Sequence, residues 1–214
     1  MEVVLPCLDE AAALPGVLGA LPAGYRALVV DNGSADGSPE VAAAHGARVL
    51  REPRRGYGAA VHAGVEAATS EFVCVLDADG SLDPAELPKL AAPVRSGHAD
   101  LAVGRRIPAG RGAWPWHARA GNAVLAAMLR RRGLPVHDIG PARVFRRADL
   151  IELDVTDRGF GYPLELLLRA ANAHWRVVEM DVTYRPRAAG TKSKVSGSVR
   201  GTARALRDMA AVLR

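Results

Sequence analysis

Residues 71–80 have the sequence EFVCVLDADG, and this stretch decides the fold. Its first six residues are mainly apolar, which is typical of a β-strand that is covered on both faces. The run ends abruptly at Asp77, Ala78, Asp79 and Gly80. We therefore predict an interior strand over 71–76 whose carboxyl end carries the side chains of Asp77 and Asp79.

The flanking sequence repeats this pattern of strands and turns, with helical segments in between. Apolar runs predict strands over 2–8, 25–30, 47–50 and 100–103, and helical spacing predicts helices over 9–21, 38–45, 57–68 and 84–95. Ser38 is the predicted N-cap of the second helix, because Pro39 follows it. Such alternation implies right-handed crossovers and a mostly parallel central sheet with helices on both faces, so we predict a Rossmann-like α/β fold.

The second half of the chain is less regular. We predict helices over 117–132, 164–173 and 198–214 and a strand over 175–184. The chain has 214 residues, with neither an internal repeat nor a linker that would divide it. This length suits one sizeable domain, and we expect a single domain over 1–214.

Polar clusters stand at the carboxyl ends of three predicted strands, at 9–10, 31–34 and 77–79. In parallel sheets ligands bind beyond this edge. Two carboxylates two positions apart in a turn can converge on one hard cation, which is often shared with substrate phosphates. We predict that Asp77 and Asp79 bind Mg²⁺ or Mn²⁺. The alternative is a solvated turn before a helix that Asp83 caps.

Two other segments offer groups that recognise ligands. The stretch 31–37, DNGSADG, could contact a nucleobase edge, because Asp accepts hydrogen bonds and Asn both donates and accepts them. The alternative is an Asx-rich turn that ends a strand. Arg54, Arg55 and Gly56 precede a predicted helix N-terminus and could bind an anion there, and a solvated loop is the alternative.

The composition favours some partners over others. A net charge of +5 favours anionic partners, although a solvated arginine-rich surface explains the charge more simply. Basic residues interleaved with stacking aromatics are missing, so we expect no nucleic-acid partner. Cys7 and Cys74 each lie in an apolar run, which predicts buried thiols on neighbouring strands. With no visible signal peptide and no apolar stretch near roughly 18 residues, we expect a cytoplasmic protein.

The order of the motifs resembles a known family. The stretches LPCLDE (5–10), VVDNGSADGS (29–38), RRGYGAAVHAG (54–64), VLDADGSLDPAEL (75–87) and AVGRR (102–106) are similar to those of family 2 glycosyltransferases with a GT-A fold. Among these, the chain is most similar to the polyprenyl (dolichyl) phosphate mannosyl- or glucosyltransferase branch. The resemblance continues through HDIGPAR (137–143), 161–165 and 187–196, so it covers nearly the whole chain.

The resemblance implies an inverting transfer of a hexose from a UDP-, GDP- or dTDP-linked sugar. It divides the domain into a nucleotide-sugar-binding half, 1–106, and an acceptor-binding half, 107–214. Together, the motifs and the resemblance assign nucleotide-sugar binding to Pro6, Leu8, Glu10, Asp31, Asn32, Gly56, Ala78, Arg106, Arg119, Arg187 and Lys194. A lipid phosphate acceptor needs no general base, whereas a hydroxyl acceptor does. Asp138 is the first candidate for that base and Glu165 the second; a turn residue and a loop-anchoring carboxylate are the alternatives.

The chain departs from the family pattern at Asn32, Ser81 and Pro141, which leaves the nucleobase and the acceptor open. The last helix has an apolar stripe beside arginines, formed by Val199, Ala203, Leu206, Ala210 and Leu213. This stripe could rest peripherally on the inner face of the membrane, and packing on the core is the alternative. A homodimer is compatible with the sequence. A sugar nucleotidyltransferase and a non-catalytic nucleotide-binding module are the alternative functions.

Overall fold

Seven strands and eight helices make up the computed structural model, which describes residues 1–110, 113–188 and 199–213. The strands are β1 (Glu2–Cys7), β2 (Arg26–Asp31), β3 (Arg48–Arg51), β4 (Phe72–Val75), β5 (Leu101–Pro108), β6 (Arg143–Arg146) and β7 (Val177–Tyr184). The helices are α1 (Leu14–Gly19), α2 (Ser38–Ala44), α3 (Tyr57–Ala67), α4 (Leu87–Arg95), α5 (Trp116–Arg131), α6 (Arg147–Glu152), α7 (Tyr162–Asn172) and α8 (Val199–Val212). A short 3₁₀ turn, Pro84–Glu86, precedes α4.

All seven strands form one sheet in the order β3-β2-β1-β4-β6-β5-β7. Every pair is parallel except those of β6, which runs antiparallel to both β4 and β5. The mostly parallel sheet confirms the predicted fold class. Strand β6 and helix α6 were not predicted. The strand has four residues, with Arg143 at its start and Arg146 at its end, so its apolar run is too short to indicate a buried strand.

Hydrophobic residues fill both faces of the sheet. Along β1, Val4 packs with α3 and α7 residues, whereas Val3, Leu5 and Cys7 pack with α1 and α4 residues on the opposite face. The apolar runs without polar alternation are therefore strands that are buried on both sides, as predicted. The two thiols of Cys7 and Cys74 are free and buried on the neighbouring strands β1 and β4, which confirms that prediction.

The start of the first helix and the cap of the second differ from the predictions. The helix predicted over 9–21 extends only over Leu14–Gly19, because backbone amides of 9–11 bond to side chains of the 34–38 turn instead. The prediction that Ser38 caps α2 is wrong. The helix begins at Ser38, after Gly37 with a φ of 82°, and no side chain caps it. Among the described residues, no helix is long and apolar enough to cross a membrane.

Helix α3 packs closely on β1 and β2 at Gly64. A methyl group there would lie 2.9 Å from a methyl carbon of Val30 and closer still to Val4. We predict that Gly64→Ala lowers the free energy of unfolding by about 1–3 kcal/mol, because both neighbours belong to the packed core. Urea denaturation measures this. Gly16→Ala in α1 is the control, since its new methyl group meets no atom within 4 Å and should stabilise the protein slightly. Equal effects at both glycines would contradict the prediction.

Candidate functional site

The carboxyl ends of β1 and β2 are joined by hydrogen bonds. The amide of Asp9 donates to Ser34 Oγ at 3.0 Å, and the amide of Glu10 donates to Ser38 Oγ at 2.9 Å. Asp9 adopts a φ of 54°, a left-handed conformation that turns the chain sharply after the strand. The structure therefore brings the predicted clusters at 9–10 and 31–34 together at one edge of the sheet.

The turn that begins at Asp31 lies at this edge of the sheet. The carboxylate of Asp31 accepts from the amides of Gly33 at 3.3 Å and Ser34 at 3.0 Å, which is the geometry of an Asx turn. Gly33 has a φ of 91°, and the Arg55 guanidinium lies against it, 2.8 Å from where a β-carbon would stand. The Asx turn of the alternative is therefore present, and Arg55 from the 54–56 loop lies beside Gly33 of this turn.

Asn32 has a different role from a residue that contacts a base edge. Its amide group is buried, and Nδ2 donates to the carbonyl oxygens of Glu52 at 2.9 Å and Arg54 at 2.8 Å. Its Oδ1 accepts from the amide of Gly56 at 2.8 Å. Both N–H donors of the Asn32 amide are thus used within the protein, and Asn32 fixes the 52–56 loop. An aspartate could not make the two donated bonds.

Asp77 and Asp79 follow β4 and lie next to each other. Burial and then the charge of Asp79 raise the pKa of Asp77 to about 6, while nearby arginines, Arg187 first, oppose the shift. Among the described residues, Asp77 Oδ1 accepts one long bond of 3.4 Å, from the Tyr57 hydroxyl. Asp79 Oδ1 accepts from the amide of Ser81 at 2.8 Å. Two carboxylates are therefore held close together, with few donors to offset their charge.

Arg187 partly offsets this negative charge. Its Nη1 lies 2.8 Å from Asp79 Oδ2 and 3.5 Å from Glu10 Oε1, although its orientation toward Asp79 Oδ2 is not that of a hydrogen bond. The next residue continues the contact, because the amide of Ala188 donates to the carbonyl oxygen of Asp79 at 3.1 Å. The segment that enters the predicted C-terminal loop thus lies along the turn that carries Asp77 and Asp79.

Arg106 extends from β5 into the same region. Its guanidinium donates to both oxygens of Asp138, with distances of 2.8 Å to Oδ2 and 2.7 Å to Oδ1. The plane stacks 3.9 Å from the ring centre of Trp114 and lies 5.5 Å from that of Tyr184. Burial opposes the charge, but the Asp138 ion pair outweighs it, so the pKa of Arg106 is above its usual value. A fixed cation therefore stands near Asp77.

The carboxylates of both candidate bases accept hydrogen bonds from other groups of the protein. Asp138 has no exposed surface, and its oxygens accept four bonds, three from Arg106 and one from the Gly140 amide. This geometry suits an anchor for Arg106 and does not suit a general base. Glu165 accepts from Thr156, and the amides of Asp157 and Thr156 hold its pKa below the usual value against the effect of burial. Glu165 is therefore the loop-anchoring carboxylate of the alternative.

The remaining predicted residues differ in their placement. Pro6 lies on β1 and Leu8 just beyond it, while Ala78 is buried between the two aspartates. Gly56 touches the carbonyl oxygen of Arg158 so closely that no side chain fits. Arg119 is exposed on α5, and within the described residues no hydrogen bond or ion pair joins it to the turn of Asp77 and Asp79. Lys194 lies outside the described residues.

Three aromatic residues of the site were not predicted from the sequence. Tyr57 bonds to Asp77, and Trp114 and Tyr184 flank Arg106. The only sequence signal was the position of Tyr57 within RRGYG, directly before a helix. Trp114 and Tyr184 are distant in sequence and meet edge to face at 5.9 Å, which no spacing rule predicts.

The chemistry of the carboxylate pair fits a divalent cation. In the described part of the chain, no group of three or more His, Cys, Asp and Glu gathers around one point. Two protein oxygens with phosphates as further ligands are the usual arrangement for Mg²⁺ in nucleotide sites. Among the residues that the structure describes, Ser81 Oγ is buried at the same turn without a hydrogen-bond partner, so this hydroxyl is available to a polar group of a ligand.

The chain is similar to several known proteins. The profile described as "Glycosyl transferase family 2" matches residues 2–154. An uncharacterized glycosyltransferase of Mycobacterium tuberculosis is 61% identical over 209 residues, which are 97% of this chain and 95% of the relative. A polyprenol monophosphomannose synthase of Mycolicibacterium smegmatis is 36% identical over 220 residues, which cover 92% of this chain and 81% of that one.

Solved structures have the same architecture. The crystal structure of glucosyl-3-phosphoglycerate synthase from Mycobacterium tuberculosis, in complex with Mn²⁺, UDP-glucose and phosphoglyceric acid, matches with a TM-score of 0.78 at 22% identity. The match covers 99% of this chain and 77% of that one. At this level of identity the likeness concerns the fold alone, and it confirms the GT-A type of α/β architecture.

The role of Asn32 in fixing the 52–56 loop predicts the effect of a substitution. Asn32→Asp leaves the carbonyl oxygens of Glu52 and Arg54 facing a carboxylate, which should lower the free energy of unfolding by about 1–3 kcal/mol. Urea denaturation at neutral pH measures the change. Asn172→Asp, at an exposed position, is the control and should stay within about 0.5 kcal/mol of the wild type. A similarly small effect for Asn32→Asp would contradict the assigned role.

Proposed function

Because the chain belongs to glycosyl transferase family 2, we propose that it transfers a hexose from a nucleotide diphosphate sugar to an acceptor that carries a phosphate. The divalent cation, Mg²⁺ or Mn²⁺, would be held by Asp77 and Asp79. The observation that carries this proposal is the position of these two carboxylates at the end of β4, where burial and then the charge of Asp79 raise the pKa of Asp77 to about 6. A cation shared with the donor diphosphate would remove that repulsion.

The donor would lie along the carboxyl ends of β1, β2 and β4. The Asp31 turn and the loop that Asn32 fixes form one wall for the nucleoside, and the aspartate pair lies next to it. Arg106 and Arg187 place positive charge on the other side, where a diphosphate gathers negative charge as it leaves. The bound cation would act as a Lewis acid on that leaving group.

The arrangement of the candidate bases supports an acceptor that is already an anion. Asp138 is saturated by Arg106 and Gly140, and Glu165 is held by Thr156 and Asp157, so neither is free to take a proton. A phosphate acceptor needs no general base. The relative from Mycolicibacterium smegmatis is named for a polyprenol monophosphate sugar, and another from Micrococcus luteus for undecaprenyl phosphate. We therefore favour a polyprenyl phosphate over a sugar hydroxyl.

A lipid acceptor requires contact with a membrane, and α5 suits that contact better than α8. In α8, Ala205 is buried and Met209, Val212 and Leu213 pack against the core. Of the predicted stripe, Leu213 packs in this way and Ala210 is exposed, while the side chains of Val199, Ala203 and Leu206 lie outside the described part of the structure. Helix α5 instead exposes Trp116 and Val124, at 78% and 62%. Its sequence has no acidic residue, and arginines are exposed at 119 and 130–132. This combination suits an anionic lipid surface.

Membership of this family argues against the two alternative functions given for the sequence. Neither a sugar nucleotidyltransferase nor a non-catalytic nucleotide-binding module accounts for similarity to glycosyltransferases along nearly the whole chain. The products formed from the donor distinguish the two enzymes directly. A glycosyltransferase releases nucleoside diphosphate, whereas a nucleotidyltransferase forms or cleaves the pyrophosphate bond itself.

The proposed metal role predicts the donor dependence of stability and transfer. Thermal shift with UDP-, GDP- and dTDP-sugars should show stabilisation that requires Mg²⁺ or Mn²⁺, because ligands that bind the native state raise its melting temperature. Asp77→Asn and Asp79→Asn should abolish this metal-dependent shift. They should also slow transfer to a polyprenyl phosphate by about 100-fold, which corresponds to about 2.7 kcal/mol.

Asp83→Asn is the matched control for these substitutions. Asp83 caps the turn before α4 and pairs with Arg185 outside the aspartate pair, so its variant should keep the metal-dependent shift. An unchanged shift in both Asp77→Asn and Asp79→Asn would overturn the metal assignment. Transfer to phosphoglyceric acid but not to polyprenyl phosphate would overturn the lipid acceptor and leave the transferase standing.

The α5 surface predicts binding to anionic vesicles. The full chain should float with vesicles of phosphatidylcholine and phosphatidylglycerol and bind vesicles of phosphatidylcholine alone more weakly. Trp116→Ala combined with Val124→Ser should reduce binding about tenfold, since that equals a loss of ~1.4 kcal/mol of apolar burial. Ile151→Ser, at a 39% exposed position on α6, is the control and should bind like the wild type. Equal loss in both variants would contradict the assignment to α5.

A further inference from the structure

Glu179 is a carboxylate on β7, the last strand of the sheet, and its side chain is only 8% exposed. Its Oε1 accepts hydrogen bonds from the backbone amides of His137 at 2.5 Å and Asp138 at 2.8 Å. Its Oε2 lies 2.8 Å from Nδ1 of the His137 ring. One carboxylate of an edge strand therefore holds two successive residues of the 137–140 segment.

Asn122 of α5 holds neighbouring polar atoms of the same segment. Its side chain is buried, its Oδ1 accepts from the Ile139 amide at 3.1 Å, and its Nδ2 donates to the His137 carbonyl oxygen at 3.2 Å. Hydrogen bonds thus fix the backbone at residues 137, 138 and 139. Because the backbone sets which directions a side chain can take, these bonds also determine where the Asp138 carboxylate points.

The Asp138 carboxylate connects this segment to Arg106. Asp138 Oδ2 accepts from Nε of Arg106 at 2.8 Å and from its backbone amide at 2.9 Å, and Oδ1 accepts from Nη2 at 2.7 Å. The guanidinium plane lies 3.9 Å from the ring centre of Trp114. Short hydrogen bonds therefore join Glu179 to the Asp138 backbone, and the Asp138 side chain to the Arg106 guanidinium.

A fixed guanidinium suits a diphosphate better than a mobile one. Arginine loses much rotamer freedom when it is ordered, and a side chain that is already ordered avoids this cost when the ligand binds. Preorganised donors also stabilise the charge that develops on a leaving group without rearranging during the reaction. Asp138 can provide this order only where its own backbone is held, and the bonds from Glu179 provide that support.

We propose that Glu179 is a positioning residue, which acts through the backbone of the 137–140 segment and through Asp138 to hold Arg106 in place for the donor diphosphate. The inference rests on the proposed function, which places Arg106 beside that diphosphate, and it adds a residue of β7 to the support of the donor site. No motif of the sequence includes Glu179, which lies 41 positions from Asp138 along the chain.

The exchange of the Arg106 Nε proton with water, measured by heteronuclear NMR on the full chain, tests this role without any ligand. The absence of the signal from Arg106→Gln identifies it. Glu179→Ala should speed the exchange about tenfold, because the bond to Asp138 opens more often when the segment is not held. Glu179→Gln should stay within about twofold of the wild type, because the glutamine Oε1 can accept the same two amide bonds.

Asp181→Ala is the matched control on the same strand. Asp181 lies two residues after Glu179, its side chain is exposed, and it pairs with Arg105 at 3.7 Å. Its variant should leave the exchange of the Arg106 Nε proton unchanged. The same exchange rate in Glu179→Ala and Asp181→Ala would refute the proposal. If Glu179→Ala does not fold, Glu179→Asp makes the same comparison, because it withdraws the carboxylate by one methylene group.

Calorimetric titration with UDP, GDP and dTDP in the presence of Mn²⁺ tests the link to the donor. For the nucleoside diphosphate that the wild type binds most tightly, Glu179→Ala should weaken binding about tenfold, which corresponds to about 1.4 kcal/mol. In an Arg106→Gln background the same substitution should cause no further loss, because no guanidinium remains for Glu179 to position. Additive losses would show that Glu179 acts by another route and would overturn the proposal.

The behaviour of Arg106→Gln separates this inference from the proposed function. If Arg106→Gln binds the diphosphate like the wild type, the donor role that the proposed function gives to Arg106 is wrong. If Arg106→Gln weakens binding while Glu179→Ala matches the wild type in both exchange and binding, only this inference fails. Weaker binding in both variants, with Glu179→Gln and Asp181→Ala close to the wild type, is the expected result.

Discussion

The repulsion between Asp77 and Asp79 is the constraint on which the rest of the site depends. The sheet places both carboxylates at the end of a central strand, where burial and mutual charge raise the pKa of Asp77 to about 6. Arg187 reaches Asp79 from the C-terminal segment, and Arg106 contributes positive charge from β5. Cations thus approach the pair from separate elements, and a divalent ion shared with a diphosphate fits the same need.

Rigid supports hold these charges in place. Asp138 fixes Arg106 with both oxygens, while Trp114 covers the guanidinium plane. Asn32 fixes the 52–56 loop through three bonds to backbone atoms. The polar side chains that the motifs assign to ligand contacts therefore include several that form hydrogen bonds within the protein. The groups left to meet a substrate are mainly the aspartate pair and the arginines.

The sequence predicted the sheet edge and the aspartate pair because strand ends and acidic turns are local features. Strand β6 was not predicted because the apolar segment between Arg143 and Arg146 is very short. The sequence offers Asp138 as the first candidate base, and it does not reveal the ion pair with Arg106, because the two residues are 32 positions apart. The contacts of Tyr57 and Tyr184 likewise depend on tertiary packing, which spacing along the chain does not reveal. Local chemistry was thus predictable, whereas the partner of each polar group was not.

Crystals grown with Mn²⁺ and a bound sugar nucleotide provide the most direct measurement, through anomalous scattering from manganese. The account predicts one strong anomalous peak within about 2.0–2.3 Å of oxygens from both Asp77 and Asp79 and from the diphosphate. A donor bound at the carboxyl edge of the sheet with no manganese at the aspartate pair, or with manganese on other residues, would contradict it.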